Sequence, residues 1–170
     1  LVDDYLSAID EPLNVVHDLG ANTGEFSRIA ARHAGLVVSQ DIDPVAVERN
    51  YRRLVSEPPK NVLPLLQDLY APSPAIGWGN EERDSFRQRG RCDAILALAL
   101  VHHLAISNNT PLSRIAGLFA ELAQWLVIEF VPKSDSQIPR LLHTRIDLFP
   151  HSHHNGFDYA FSAYAITFSL

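Results

Sequence analysis

The feature that most constrains the fold is a regular alternation of short aliphatic runs with longer segments of helical period. The aliphatic runs are predicted as strands at residues 14–19, 36–40, 62–66, 93–98 and 125–130. The segments between them are predicted as helices at about residues 24–33, 44–55, 81–89 and 111–123. Such alternation is typical of a parallel sheet with crossover helices. We therefore predict an α/β fold in which a doubly wound, mainly parallel sheet lies between two helical layers.

Three local signals refine this outline. Asp43 can cap the second of these helices, and Pro44 suits its first turn, where no backbone N–H is needed. Prolines and glycines between residues 72 and 79 predict a loop. Trp78 lies in this loop and Tyr70 lies beside it, and their side chains either cover a ligand or only pack against the protein. The apolar run at residues 94–101 is predicted as a buried strand, because it is far shorter than the roughly 20 residues that span a bilayer.

Composition favours one ordinary globular domain over residues 1–170, with 46% hydrophobic and 20% charged residues. Cys92 is the single cysteine, which excludes a disulfide within the chain. The first ten residues lack the basic and apolar regions of a secretory leader, so we expect a cytoplasmic protein without a membrane partner. Oligomeric state is not predicted.

The charge pattern gives little support to nucleic-acid binding. A formal net charge of -6 provides no bulk attraction to phosphate backbones. Two arginine-rich stretches keep a nucleic-acid partner open, namely Arg49, Arg52 and Arg53, and then Arg83, Arg87, Arg89 and Arg91. Acidic residues alternate with the second stretch, which favours a solvated helix.

Beyond residue 136 the pattern weakens. It predicts helices at residues 138–145 and 156–163 and a last strand at residues 164–170. An apolar strand at the very end predicts a fragment, or a sheet whose terminal strand is missing, because strand edges are normally covered or charged. Histidines cluster here, but no cysteine or spaced acid accompanies them, so we predict no metal site from His143, His151, His153 and His154.

The strongest chemical signal is the segment from Asp18 to Gly24, which leads from a strand through a tight turn into a helix. Gly20 and Gly24 permit backbone conformations and a close ligand approach that a Cβ would block, and Asn22 tolerates left-handed geometry. Ligands of doubly wound sheets bind beyond the carboxyl ends of the strands, where this turn is predicted to lie. A carboxylate at Asp18 would repel a pyrophosphate, so the turn favours a ligand that carries cationic groups.

Two further acids follow the next two strands. Asp41 can accept hydrogen bonds from both hydroxyls of a ribose, and Asp68 can accept from an adenine amino group. Three acids at the ends of three successive strands are more specific than any one of them. S-adenosylmethionine offers an ammonium, a sulfonium, a ribose and an adenine, and no phosphate.

On these residues the chain resembles the class I S-adenosylmethionine-dependent methyltransferases. The segment DLGANTG resembles their first motif, with Asn22 in place of the usual middle glycine, while QDID and QDL resemble the ribose and adenine motifs. The segments LALALVHHLAISNN and LVIEFVPKSDSQ are similar to a bacterial group that includes host-specificity nodulation proteins. The resemblance implies a Rossmann-like fold with S-adenosylmethionine as cofactor, bound by Asp18, Gly20, Ala21, Asn22, Gly24, Asp41, Ile42, Asp68, Leu69 and Leu98.

The acceptor side is less specific. His102 and His103 follow the fourth predicted strand, and histidine can act as a general base near neutral pH. One of the pair is expected to line the acceptor site, although a structural role for both stays open. Glu129, at the end of the fifth strand, either orients an acceptor amine or hydroxyl or is a solvated strand-end acid.

Three functions remain open on the sequence. The first is methyl transfer from S-adenosylmethionine to an oxygen or nitrogen of a small-molecule or natural-product acceptor, with S-adenosylhomocysteine as the second product. The second is an RNA or protein methyltransferase that uses the arginine-rich stretches. The third is a non-catalytic module that only binds the cofactor or a partner, because no acceptor motif such as Asn-Pro-Pro-Tyr follows the fourth strand.

Overall fold

The computed structural model of the chain describes residues 1–129. Their five strands form one parallel sheet in the order β3-β2-β1-β4-β5, so the predicted doubly wound sheet is confirmed. The strands are β1 Leu13–Leu19, β2 Ala34–Asp41, β3 Val62–Leu66, β4 Cys92–Ala97 and β5 Ala123–Ile128. The strand order reverses between β1 and β4, and ligands of doubly wound sheets bind at such a reversal.

Five α-helices and two further helical turns lie around this sheet within the described residues. The helices are α1 Val2–Ser7, α2 Glu25–Ala30, α3 Pro44–Ser56, α4 Phe86–Arg89 and α5 Leu112–Leu122. The turns are a 3₁₀ turn at Trp78–Asn80 and a π-helical turn at His103–Ser107. The predicted cap of α3 is confirmed, because the Asp43 side chain accepts a hydrogen bond from Val45 N at 2.8 Å.

Both faces of the sheet are covered by helices, as a three-layer sandwich requires. On one face Val16, Val37 and Leu96 pack with Val2 and Leu6 of α1 and with the apolar sides of α2 and α3. On the other face Leu19, Ile95 and Ile128 pack with Phe86 of α4 and with Phe119 of α5. Because both faces are buried, the strands are near-continuous apolar runs rather than alternating ones.

Two predicted elements are corrected. The predicted helix at residues 81–89 forms only from Phe86 onward, because Ile76 N and Arg83 N exchange hydrogen bonds with the opposite carbonyls and close a loop. Ser85 and Gln88 then form a capping box that starts α4. The apolar run at residues 94–101 is not one strand, since β4 ends at Ala97 and Ala99 takes a φ of 50°.

The predictions for residues 130–170 lie outside the described residues. They comprise the helices and last strand beyond residue 136, the histidine cluster and the missing terminal strand. Within residues 1–129, no helix has the length and apolar character needed to cross a membrane.

Candidate functional site

A cavity of about 730 Å³ opens at the carboxyl ends of the strands, where the strand order reverses. Its wall combines residues that follow all five strands, together with Phe26 of α2 and the π-helical turn. Both volume and position are those of a small-molecule site in an α/β sheet. The described part of its wall contains carboxylates from Asp18, Glu25, Asp41, Asp68 and Glu129, and it contains no lysine or arginine.

The turn after β1 contains three residues whose backbone lies in the left-handed region of φ and ψ. Gly20, Asn22 and Gly24 have φ values of 75°, 49° and 77°. Gly20 N and Ala21 N both donate to Gln40 O at 2.9 Å, which ties the turn to the end of β2. Gly20, Ala21 and Asn22 line the cavity, and an added Cβ on Gly20 would lie 3.1 Å from Leu100 Cδ1.

Gly24 differs from the other turn residues, because it does not line the cavity. An added Cβ would lie 2.4 Å from Asn50 Oδ1, so close packing against α3 requires a glycine here. Gly24 therefore lies at the joint between the turn and α3, and the contact with the cofactor that the resemblance implies stays a prediction.

Asp41 fixes the turn with its own carboxylate. Its Oδ2 accepts from Asn22 N at 2.7 Å, and its Oδ1 accepts from Asp43 N at 2.8 Å. A carboxylate oxygen can accept more than one hydrogen bond, so both oxygens retain capacity for ligand hydroxyls. The carboxylate therefore lies on the cavity wall in a fixed orientation.

Asp18 lies deeper, in a buried polar network below the turn. Its Oδ2 accepts from the Ser27 hydroxyl at 2.5 Å, and the Ser27 hydroxyl oxygen lies 2.8 Å from that of Ser39. Asn50 Nδ2 donates to Ser39 Oγ at 2.8 Å. Burial raises the pKa of the Asp18 carboxyl from 3.8 to about 6; the bond from Ser27 opposes this rise, and the nearby charge of Asp41 adds to it.

His17 precedes Asp18 on β1 and is also buried. Its Nδ1 lies 3.0 Å from Gln40 Nε2, which donates to it when that ring nitrogen is unprotonated. Burial lowers the pKa of the His17 imidazole from 6.5 to about 4. His17 is not among the described residues that line the cavity.

The remaining residues of the implied cofactor set also lie on the cavity wall. Asp68 and Leu69 follow β3, and Asp68 Oδ1 accepts from Tyr70 N at 2.8 Å. Ile42 follows Asp41, and Leu98 follows β4. Trp78 is 87% exposed and is not among the lining residues, whereas Tyr70 lines the cavity.

The residues predicted to contact the acceptor differ in their position relative to the cavity. His103 and Glu129 line the cavity and His102 does not, although the two histidine rings lie 4.3 Å apart. Glu129 Oε2 accepts from Ala99 N at 2.8 Å. Leu104 and Ser107 on the π-helical turn line the same wall, and π-helical segments are frequent at functional sites.

Sequence reasoning missed several wall residues, namely Thr23, Glu25, Phe26, Gln67, Ala99, Leu100, Leu104, Ser107 and Asn108. Thr23, Glu25 and Gln67 adjoin recognised motifs, so proximity in sequence could have indicated them. Nothing in the local pattern of residues 103–107 signals a π-helical turn. Within residues 1–129, no group of three or more histidine, cysteine or acidic side chains could hold a metal ion.

Comparison with known proteins places this site in context. No family model matches the chain. Its sequence is 42% identical over 146 residues to "Nodulation protein NoeA" of Rhizobium meliloti (strain 1021). That match covers 85% of this chain and 30% of the nodulation protein, so the chain spans less than a third of its curated relative.

Solved structures of methyltransferases share the fold. The bifunctional kinase-methyltransferase WbdD superposes with a TM-score of 0.59 at 18% identity, over 79% of this chain and 28% of WbdD. The N-methyltransferase NodS from Bradyrhizobium japonicum WM9 superposes with a TM-score of 0.55 at 14% identity, over 83% of this chain and 76% of NodS. A second NodS structure, with a TM-score of 0.50, contains S-adenosylhomocysteine; it is 13% identical and covers 71% of this chain and 53% of NodS. The resemblances in the sequence are thus confirmed: the chain has the Rossmann-like fold of S-adenosylmethionine-dependent methyltransferases, and its sequence is similar to that of a nodulation protein.

Proposed function

We propose that the chain binds S-adenosylmethionine in this cavity and transfers the methyl group to an oxygen or nitrogen of a small-molecule acceptor. One observation carries the proposal. The carboxylates of Asp18, Asp41 and Asp68, which lie at or just beyond the carboxyl ends of three different strands, line one cavity beside the glycine turn. The described wall has no lysine or arginine, which suits a cofactor with an ammonium and a sulfonium better than a dinucleotide with a pyrophosphate.

The wall residues fit the parts of this cofactor. Asp41 would accept from the ribose hydroxyls, with its orientation already fixed by Asn22 N and Asp43 N. Asp68 would accept from the adenine amino group, and Leu69, Leu98 and Ile42 offer apolar surface to the ring. The turn at Gly20 would admit the amino-acid end of the cofactor, above the buried Asp18.

Catalysis by this chain would consist mainly of alignment. When bound, the cofactor supplies a methyl group that is already activated by the positive sulfur. The wall residues then have to hold the acceptor in line with that methyl group and to exclude water. His103 is the described side chain on this wall best suited to remove a proton from an acceptor hydroxyl or amine.

The arginine-rich stretches support a small molecule over RNA. Arg52 pairs with Glu48, Arg53 pairs with Glu25 and Glu57, and Arg87 pairs with Glu121. Arg89 donates to Ser73 Oγ. Four of the seven arginines in these stretches are therefore already engaged within the chain, and three of the four engage acids. Partial neutralisation of this kind weakens the attraction of these stretches for a phosphate backbone.

The test is calorimetric titration of the 170-residue chain with S-adenosylmethionine, S-adenosylhomocysteine and, as a control, NAD. We expect saturable binding of the first two ligands and none of NAD. A folded chain that binds neither methyl-cofactor form would contradict the proposal. Binding without turnover on a broad panel of hydroxyl and amine acceptors would instead support the non-catalytic module. The single domain over residues 1–170 and the cytoplasmic location stay predictions.

A further inference from the structure

We infer that Glu129 is a positioning residue, which holds the wall formed by residues 98–103 against the glycine turn rather than reacting with the acceptor. The inference rests on the proposed function, because it concerns how the same cavity is shaped. It assigns Glu129 a role different from that of a group that orients the acceptor.

The first step is the bond that Glu129 makes. Glu129 follows β5, and its backbone N donates to Ala97 O at 3.2 Å, which continues the pairing with β4 by one residue. Its side chain then turns onto the adjacent loop, where Oε2 accepts from Ala99 N at 2.8 Å. Glu129 thus binds the end of β4 through its backbone N–H, and it binds the loop after β4 through its carboxylate.

The second step is the conformation of the residue that it holds. Ala99 has a φ of 50°, which a side chain with a Cβ rarely adopts. Such a conformation persists only where surrounding bonds fix it. The carboxylate of Glu129 supplies one such bond, because it binds the N–H of this same residue.

The third step is what this loop positions. Leu100 lies against Gly20, where its Cδ1 would be 3.1 Å from an added Cβ. Leu100 O also accepts from His103 N at 2.9 Å and from Leu104 N at 3.2 Å, which begins the helical segment that carries His103. A displaced Ala99 would therefore move both the wall of the cofactor turn and the start of the segment with His103.

Two variants separate geometry from charge. Glu129→Gln removes the charge but retains an oxygen at the same reach, whereas Glu129→Asp retains the charge and shortens the reach by one methylene. We expect Glu129→Asp to weaken S-adenosylhomocysteine binding about tenfold, and Glu129→Gln to weaken it by about twofold at most. Hydrogen exchange of the amides at residues 98–104 should be faster in Glu129→Asp than in Glu129→Gln.

The measurement is calorimetric titration of the wild-type chain and both variants with S-adenosylhomocysteine. Circular dichroism and urea unfolding establish that each variant is folded. A larger loss in Glu129→Gln than in Glu129→Asp would overturn the inference and indicate a role for the charge itself. Equal effects in both variants, including none, would overturn it as well. If the wild-type chain does not bind S-adenosylhomocysteine, that result would instead contradict the proposed function.

Discussion

The two sides of the cavity are built in different ways. The proposed cofactor side, formed by the ends of β1, β2 and β3, uses short sequence motifs in which each acid lies close to the carboxyl end of its strand. The proposed acceptor side, formed beyond β4 and β5, uses a positive-φ alanine, a π-helical turn and the Glu129 carboxylate. Each motif of the first side is short in sequence, and the turn is tied to the end of β2 through Gln40 and Asp41. The second depends on a contact between residues 30 positions apart.

This difference indicates which side is fixed and which can vary. A cofactor shared by many enzymes requires the same few groups at the same strand ends, whereas acceptors differ. Loops on a rigid sheet can change without disturbing the fold. We therefore expect substitutions on the cofactor side to affect cofactor affinity or folding, and substitutions on the acceptor side to affect turnover. Glu129 is the exception, because it also holds the part of the wall that lies against Gly20.

The largest effect is expected at the joint beneath the cofactor side. Gly24→Ala combines left-handed strain with a clash against Asn50, so we expect a loss of about 2–4 kcal/mol of unfolding free energy. Gly79→Ala is the matched control, because Gly79 has a φ of 63° and its nearest neighbouring atom is 3.8 Å from an added Cβ. There we expect about 1–2 kcal/mol from strain alone. Urea unfolding of both variants checks the difference, and equal losses would show that the clash has no effect.

The next effect concerns cofactor affinity. Asp41→Ala should weaken binding of S-adenosylmethionine by about 1–3 kcal/mol, through loss of charge-assisted hydrogen bonds to the ribose. Asp43→Ala is the control, because Asp43 caps α3 and does not line the cavity. It should lower the unfolding free energy by about 1 kcal/mol and leave cofactor affinity unchanged. Calorimetric titration of both variants checks this expectation. If Asp41→Ala bound S-adenosylmethionine as tightly as the wild type, Asp41 would not belong to the cofactor site.

On the acceptor side the two adjacent histidines provide the comparison. Once an acceptor is found, His103→Ala should reduce kcat about a hundredfold if the imidazole acts as general base, with cofactor affinity retained. His102→Ala should reduce kcat less, because His102 does not line the cavity. Steady-state kinetics and cofactor titration of both variants check this expectation. Equal loss of folding in the two variants would instead assign both histidines a structural role.

The last effect is a dependence of stability on pH. The pKa of Asp18 is about 6 in the folded chain and near its ordinary 3.8 when unfolded. Between these values the folded state binds more protons, so the Asp18 contribution lowers the unfolding free energy as pH rises. Asn cannot ionise, so the stability of Asp18→Asn relative to wild type should increase from pH 4 to pH 6 and then level off. Urea unfolding at several pH values tests this, and a pH-independent difference would contradict it.

The same division explains what the sequence could predict. The glycine turn, Asp41 and Asp68 were predictable because parallel strands bring their carboxyl ends to one edge, so neighbours in space follow from strand assignments alone. The break after Ala97 was not predictable, because the apolar run continues through it and a hydrogen bond from Ala99 N to Glu129 turns the chain. The separation of His102 from His103 likewise depends on a π-helical turn that leaves no mark in the periodicity. The role of Gly24 required the position of Asn50 on another helix.

The neighbouring pair His17 and Asp18 has a consequence for how the chain exchanges protons when it folds. Burial lowers the pKa of the imidazole to about 4 and raises the pKa of the carboxyl to about 6, so the order of the two pKa values is reversed. Near pH 5 the unfolded chain carries a charge on each residue, whereas the folded chain carries none on either. One proton is released and one is taken up, so β1 brings two ionisable side chains into the core with no net proton exchange between this pair and the solvent.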